Sequence, residues 1–220
     1  MSSPSLKQRV IGWMVSQFGR PRGVAGRMAG WVMAHRGSNR RRNVWVVSLL
    51  AVRPTDRVLE VGFGPGLAVA ELARHATRGR VYGIDHSEVM LAQAGRRNAV
   101  AIRANRVVLR HAPVDRLPRF DEPLDAVMAV NSVGFWPDPA QQLRRLRALL
   151  RPGGRIALAS QPRDVGATAQ TTAEAGRHLQ ELLGQAGFVQ ARVETLALTP
   201  PVACVLATNP LATNPLATNP

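Results

Sequence analysis

The sequence predicts an α/β fold: a three-layer sandwich of helices around a seven-stranded, mainly parallel, twisted sheet, preceded by a helical N-terminal cap. Three observations carry this. Short apolar runs alternate with helix-competent stretches across residues 53–207, the pattern of successive βα units. The run VLEV at Val58–Val61 is broken by Gly62, Gly64 and Gly66 and followed at once by LAVAELARHA, which reads as strand, glycine turn, helix. Finally, RVYGID at Arg80–Asp85 ends in an acid 19 residues beyond Gly66. The chain thus divides into a basic helical cap over residues 1–52, a core domain over 53–207 and a low-complexity tail over 208–220.

In the cap, Leu6, Val10, Met14 and Phe18 recur at helical spacing, and Gly19 and Pro21 end that helix. A second stripe runs through Val24, Met28, Trp31 and Val32, Gly37 to Arg42 interrupt it, and Asn43–Val52 reads as a third helix. No acid precedes Asp56, whereas residues 1–55 hold Lys7 and nine arginines, about two-thirds of the net charge of +15. The imbalance suits an anionic partner, whether nucleic acid, a lipid surface or an acidic substrate, or else reflects a composition rich in Arg and Ala. No run reaches the roughly 18 apolar residues of a membrane span, and no cleavage site follows an apolar core, so neither an anchor nor a secretory signal is expected. The acid-free start also fits a transit peptide or membrane-surface helix, against which Trp13, Trp31, Trp45 and the glycine breaks favour an ordered cap. The single cysteine, Cys204, sits among apolar residues and is expected to be a buried thiol of a cytoplasmic protein. Five histidines without partner cysteines offer no zinc spacing, and no metal is expected.

The glycine bend carries a carboxylate, Glu60, two residues before its first glycine. Open α/β sheets bind ligands at the carboxyl ends of their strands. A dinucleotide's pyrophosphate beside Glu60 would set two like charges roughly 6 Å apart, at a cost of about 1–3 kcal/mol. The spacing is G-x-G-x-G, and the third glycine of the phosphate-binding pattern would fall at Leu67. A cofactor without phosphates, bearing an amine and a sulfonium, fits the acid better. VLEVGFGPG resembles the first motif of the class I S-adenosylmethionine-dependent methyltransferases, and the resemblance extends from about Arg57 to Ala207. It implies S-adenosylmethionine as cofactor, with Glu60, Gly62, Phe63, Gly64 and Gly66 around it. Helices ahead of the first strand in such enzymes close over cofactor and substrate, which makes Asn39, Asn43 and Trp45 candidate pocket residues, with a core role for Trp45 the alternative.

The later elements extend the likeness. Asp85 matches the family's acid that binds both ribose hydroxyls. His86 follows, against the adenine edge or as a packing residue, and Ser87 is a plausible N-cap for the helix holding Met90, itself a cofactor or core residue. Arg106–Arg110 is the third strand, and HAPVDRLP occupies the adenine-recognition loop. Members often carry Gly-Asp there, whereas this chain has Ala112 and Pro113, so recognition would fall to the backbone of Ala112, Pro113 and Val114 or to Asp115. The fourth strand, Leu124–Val130, leads to Asn131, placed to bridge cofactor and substrate, and to Phe135 and Trp136, either an apolar wall for the acceptor or packing under the next helix. The Asn-Pro-Pro-aromatic signature of nucleic-acid amine methylases is missing, which disfavours that reaction. A helix over Gln141–Leu150, a turn at Arg151–Gly154, a fifth strand at Arg155–Ala159, a helix near Glu174–Ala186, and strands Phe188–Leu196 and Val202–Leu206 complete the order, the last strand antiparallel as in the family. Three copies of LATNP from Leu206 to Pro220 cannot bury a core and read as a disordered tail from Thr208.

Methyl transfer from a sulfonium is an in-line displacement that needs alignment and exclusion of water more than a base. No catalytic residue is assigned, although His35, His111, Tyr82 and Asp138 are possible bases. The reading is a methyltransferase acting on a small, apolar or aromatic molecule. The alternatives are methylation of RNA, DNA or protein through the basic N-terminal region, and a non-catalytic cofactor-binding or membrane-surface protein.

Overall fold

A computed structural model of the protein describes residues 37–163 and 166–212. The helices expected over Leu6–Phe18 and around Val24–Val32, with His35, lie outside the described residues. Seven strands, β1 (Arg57–Val61), β2 (Arg80–Asp85), β3 (Val107–His111), β4 (Leu124–Val130), β5 (Leu150–Ser160), β6 (Val189–Leu196) and β7 (Val202–Thr208), form one sheet in the order β3-β2-β1-β4-β5-β7-β6. All pairings are parallel except those of β7, which runs antiparallel to both β5 and β6.

The strands read as continuous apolar runs because both faces are covered. Val58, Met128 and Ala157 pack beneath α1 (Gly37–Leu50), α2 (Leu67–His75) and α3 (Glu88–Arg97). Their neighbours Leu59, Val127 and Leu158 pack on the other face beneath α5 (Pro139–Leu149) and α6 (Ala169–Gln185), while the short α4 (Ala99–Arg103) follows α3. Three helix starts are capped by side chains: Ser87 Oγ accepts from Met90 N–H, Asp138 accepts from Gln141 N–H, and Thr168 forms a capping box with Thr171. Among the described residues no helix is long and apolar enough to cross a membrane, and no cluster of three His, Cys, Asp or Glu could hold a metal ion. Cys204 is buried, which pushes its thiol up to about 12.

Three expectations are corrected. The break expected at Gly37–Arg42 is the first half of α1. Its buried face continues the spacing of Val46, Val47 and Leu50 backward through Asn43 and Asn39, with Arg42 beside them, so hydrophobicity alone does not reveal the period. Arg151–Gly154 is a bulge within β5, because Leu124 pairs with Leu150 while Ala126 pairs with Arg155. The tail boundary also moves. Thr208 ends β7, and the buried Asn209 holds the bulge, with Nδ2 donating to the carbonyls of Leu150 (2.9 Å) and Arg151 (3.1 Å). Its backbone exchanges hydrogen bonds with Gly153 and Gly154. The first LATNP copy is therefore structural, although identical in sequence to the two that follow.

Candidate active site

Parallel pairing brings the carboxyl ends of β1, β2, β4 and β5 to one edge of the sheet. Gly62 N–H donates to Ile84 O, Asn131 N–H to Ala159 O, and Ser132 Oγ to Val61 O (2.7 Å). Glu60, Asp85, Asn131 and Gln161 thereby lie at or just beyond the ends of four adjacent strands along that edge.

Each glycine of the bend has positive φ, but their surroundings differ. A Cβ on Gly62 would lie 2.5 Å from Ser132 Cβ, and one on Gly66 would lie 2.7 Å from Ala94 Cβ. Those two are small because the protein itself closes on them. A Cβ on Gly64 would meet nothing within 4 Å. Gly64 is therefore the position at which a ligand can approach bare backbone.

Glu60 is 2 % exposed, and its Oε2 has no hydrogen-bond partner. Burial pushes this carboxyl well above the usual range, the nearby Asp85 adds to the rise, and the Val69 backbone N–H opposes it. Such an unpartnered buried acceptor fits an ammonium group. Asp85 accepts from Gly64 N–H through Oδ2 (2.8 Å) and from Ser87 N–H through Oδ1 (2.9 Å), so the acid shapes the bend. Burial raises its pKa, opposed by those two N–H groups and by His86 and His111. Each carboxylate oxygen keeps a further lone pair for a diol. Asn131, at φ +54°, accepts from Gln161 N–H through Oδ1 (2.7 Å), which leaves its buried Nδ2 as an unpartnered donor. Ala112 N–H donates to Asp85 O, fixing the start of the Ala112–Val114 loop beside the acid.

Other expected residues fall elsewhere. Phe63 and Met90 belong to the core under α2 and α3, Phe63 lying against Gly83. Val114 and Trp136 are buried members of the opposite core cluster. Phe135 is exposed. Trp45 packs partly buried against the core, and buried Asn43 donates to Asn39 O (2.8 Å) within α1. His86 is exposed beside Asp85, and its carbonyl accepts from His111 Nε2. Of the possible bases, Tyr82 packs edge-on against Phe120 and Asp138 caps α5.

The sequence reading missed Arg42, Gln161 and Ser132. Gln161 stands just beyond the fifth strand as Asn131 stands beyond the fourth, and that positional parallel was available. Arg42 is 4 % exposed; Nη1 donates to Gln161 Oε1 and Nη2 to Asn39 Oδ1, whereas Nε has no partner. Burial and the neighbouring Arg163 lower it to about 9, still charged at neutral pH.

This strand order, with a glycine bend after β1 and an acid at the end of β2, is that of a Rossmann-like sheet, in which ligands bind at the carboxyl ends of the strands. A methyltransferase-domain family model matches residues 58–154. The uncharacterized methyltransferase YdaC of Bacillus subtilis is 30% identical over 184 residues, covering 83% of this chain and 98% of that protein. The 27-O-demethylrifamycin SV methyltransferase of Amycolatopsis mediterranei is 33% identical over 137 residues, 60% of this chain and 50% of its own. Among solved structures, the N-methyltransferase NodS of Bradyrhizobium japonicum, in complex with S-adenosylhomocysteine, superposes with a TM-score of 0.64 at 16% identity, covering 90% of this chain and 97% of that one. The chain belongs to the class I S-adenosylmethionine-dependent methyltransferases, with S-adenosylmethionine as cofactor.

Proposed function

We propose that this enzyme methylates a small organic molecule with an apolar or aromatic body, held at the carboxyl ends of β4 and β5 beside the cofactor. The observation that carries the reading is the cluster at the ends of β1 and β2, where buried Glu60 Oε2 lacks a partner, a Cβ on Gly64 would meet nothing and Asp85 accepts from Gly64 N–H. Bound there, S-adenosylmethionine supplies a methyl group made electrophilic by its sulfonium. Glu60 receives the ammonium of the methionine part, and Asp85 takes the ribose hydroxyls while its N–H bonds hold the bend in shape. The backbone of Ala112 to Val114 faces the adenine edge, and Asn131 Nδ2 donates at the boundary between cofactor and acceptor. Exposed Phe135 offers an apolar surface near that boundary. A small acceptor also accords with the relative named for 27-O-demethylrifamycin SV. Alignment and dryness do most of the work, so no base is assigned.

The test is a labelled-methyl screen of the full chain against small molecules and total RNA. Labelling of small molecules is expected. Labelling confined to RNA would move the reading to nucleic acid, and binding of the cofactor without transfer to any acceptor would make the protein a binding module.

A further inference from the structure

Arg42 is a buried cation whose hydrogen-bond acceptors are all neutral. Gln161 Oε1 and Asn39 Oδ1 satisfy two of its nitrogens, and Nε is left without a partner. Neutral oxygens satisfy N–H groups but do not cancel charge, and a buried guanidinium without a counter-charge is costly. Among the described residues no carboxylate pairs with Arg42. Residues 1–55 contain no Asp or Glu, so the cap has no carboxylate to offer.

The place is informative. Gln161 joins Arg42 to Asn131 through its backbone N–H, and Asn131 precedes Ser132, which packs on Gly62 of the bend. Arg42 therefore stands at the carboxyl ends of β4 and β5, the strand ends given above to the acceptor.

We propose that Arg42 receives an anionic group of the methyl acceptor, so that the substrate is a small organic acid, carboxylate or other oxyanion, rather than a neutral molecule. The planar fork of a guanidinium, with its buried Nε still lacking an acceptor, suits a carboxylate held by two parallel hydrogen bonds. This rests on the methyltransferase reading and narrows its substrate class.

The test needs no turnover. Thermal unfolding of the full chain is followed in sodium acetate and sodium benzoate, against sodium chloride at equal ionic strength and against acetamide and benzamide. A site binding acetate at about 5 mM raises the midpoint by about 3 °C at 50 mM, and the amides leave it unchanged. Arg42→Gln is expected to abolish the rise while S-adenosylhomocysteine affinity by calorimetry stays as in the parent. If Arg42→Gln does not fold, Arg42→Lys serves, and the acid-against-amide comparison on the parent stands without any variant. No acid-specific rise in the parent, or a rise that persists in Arg42→Gln, overturns the proposal. Asp164, the one acid outside the described residues, supplies a further control. A rise that appears only in Asp164→Asn assigns the charge to an internal pair and also overturns it. Absence of cofactor heat would instead sink the methyltransferase reading, so the two failures are distinct.

Discussion

Replacing Glu60 by Gln keeps the shape of a fully buried side chain and removes its charge. The structure predicts opposite effects on stability and on cofactor affinity. With its folded pKa raised above the unfolded value of about 4.5, Glu60 makes the folded state bind more protons than the unfolded state between those two values. The cofactor-free protein accordingly loses stability as pH rises through that window, by up to about 1.4 kcal/mol per pH unit from this group. The amide of the Glu60→Gln variant does not titrate. Subtracting the variant's denaturation free energy from the parent's at each pH should give a difference that falls as pH rises from about 4.5 and levels above the raised pKa. Cofactor affinity should behave in the reverse sense. An ammonium favours the ionised carboxylate, so the parent binds S-adenosylhomocysteine more tightly as pH rises, by up to about tenfold per unit below the raised pKa. Above the raised pKa, where the parent's carboxylate is ionised, the variant loses a hydrogen bond between charged groups, about 1.5–3 kcal/mol or roughly 10- to 150-fold in affinity. Urea denaturation across a pH series and calorimetric titration measure the two effects. Equal affinity and identical pH profiles for parent and variant would refute the assignment of Glu60 to the ammonium.

Asp85→Asn should weaken S-adenosylhomocysteine binding by about 1.5–3 kcal/mol in calorimetry, and Asp85→Ala by more, because Asn keeps one acceptor oxygen for the N–H groups of Gly64 and Ser87 whereas Ala frees both. The bend separates packing from binding. Gly62→Ala, which drives a methyl into Ser132, should lower stability by several kcal/mol, roughly the sum of overpacking and left-handed strain. Gly64→Ala should cost only about 1–2 kcal/mol in stability while cutting cofactor affinity more than tenfold, as measured by urea denaturation and calorimetry together. Asn209→Ala should destabilise by about 1–3 kcal/mol in thermal melts by stranding the carbonyls of Leu150 and Arg151, and truncation after Thr208 should do at least as much.

Most of the fold was legible because its strands announce themselves by continuous apolar runs and its bends by glycine. Arg80–Asp85 and Leu124–Val130 fall on the expected residues. Where periodicity is written in polar side chains, the sequence is silent. Asn39, Arg42 and Asn43 are buried on the inner side of α1 but look like a solvated break. Asn209 shows the same difficulty more sharply, since an identical pentapeptide is structural in its first copy only because β7 delivers it to the bulge of β5. In the site, Glu60 and Asp85 stood out by spacing from the glycine bend. Phe63 and Trp136 did not declare which way they point, because an aromatic next to a strand end packs inward or lines a crevice according to the turn that carries it. Arg42 became visible only when the acceptors around it were seen to be neutral.

The central claim is that the ends of β1 and β2, with Glu60, the glycine bend and Asp85, clasp a phosphate-free nucleoside carrying a cation. It is tested most directly by titrating the full chain with S-adenosylhomocysteine and, separately, with a nicotinamide dinucleotide in a calorimeter. One-to-one binding of the first, abolished when Glu60→Gln and Asp85→Ala are combined, with no heat from the second, is the result expected. Binding of the dinucleotide, or no heat from S-adenosylhomocysteine at millimolar concentration, would contradict it.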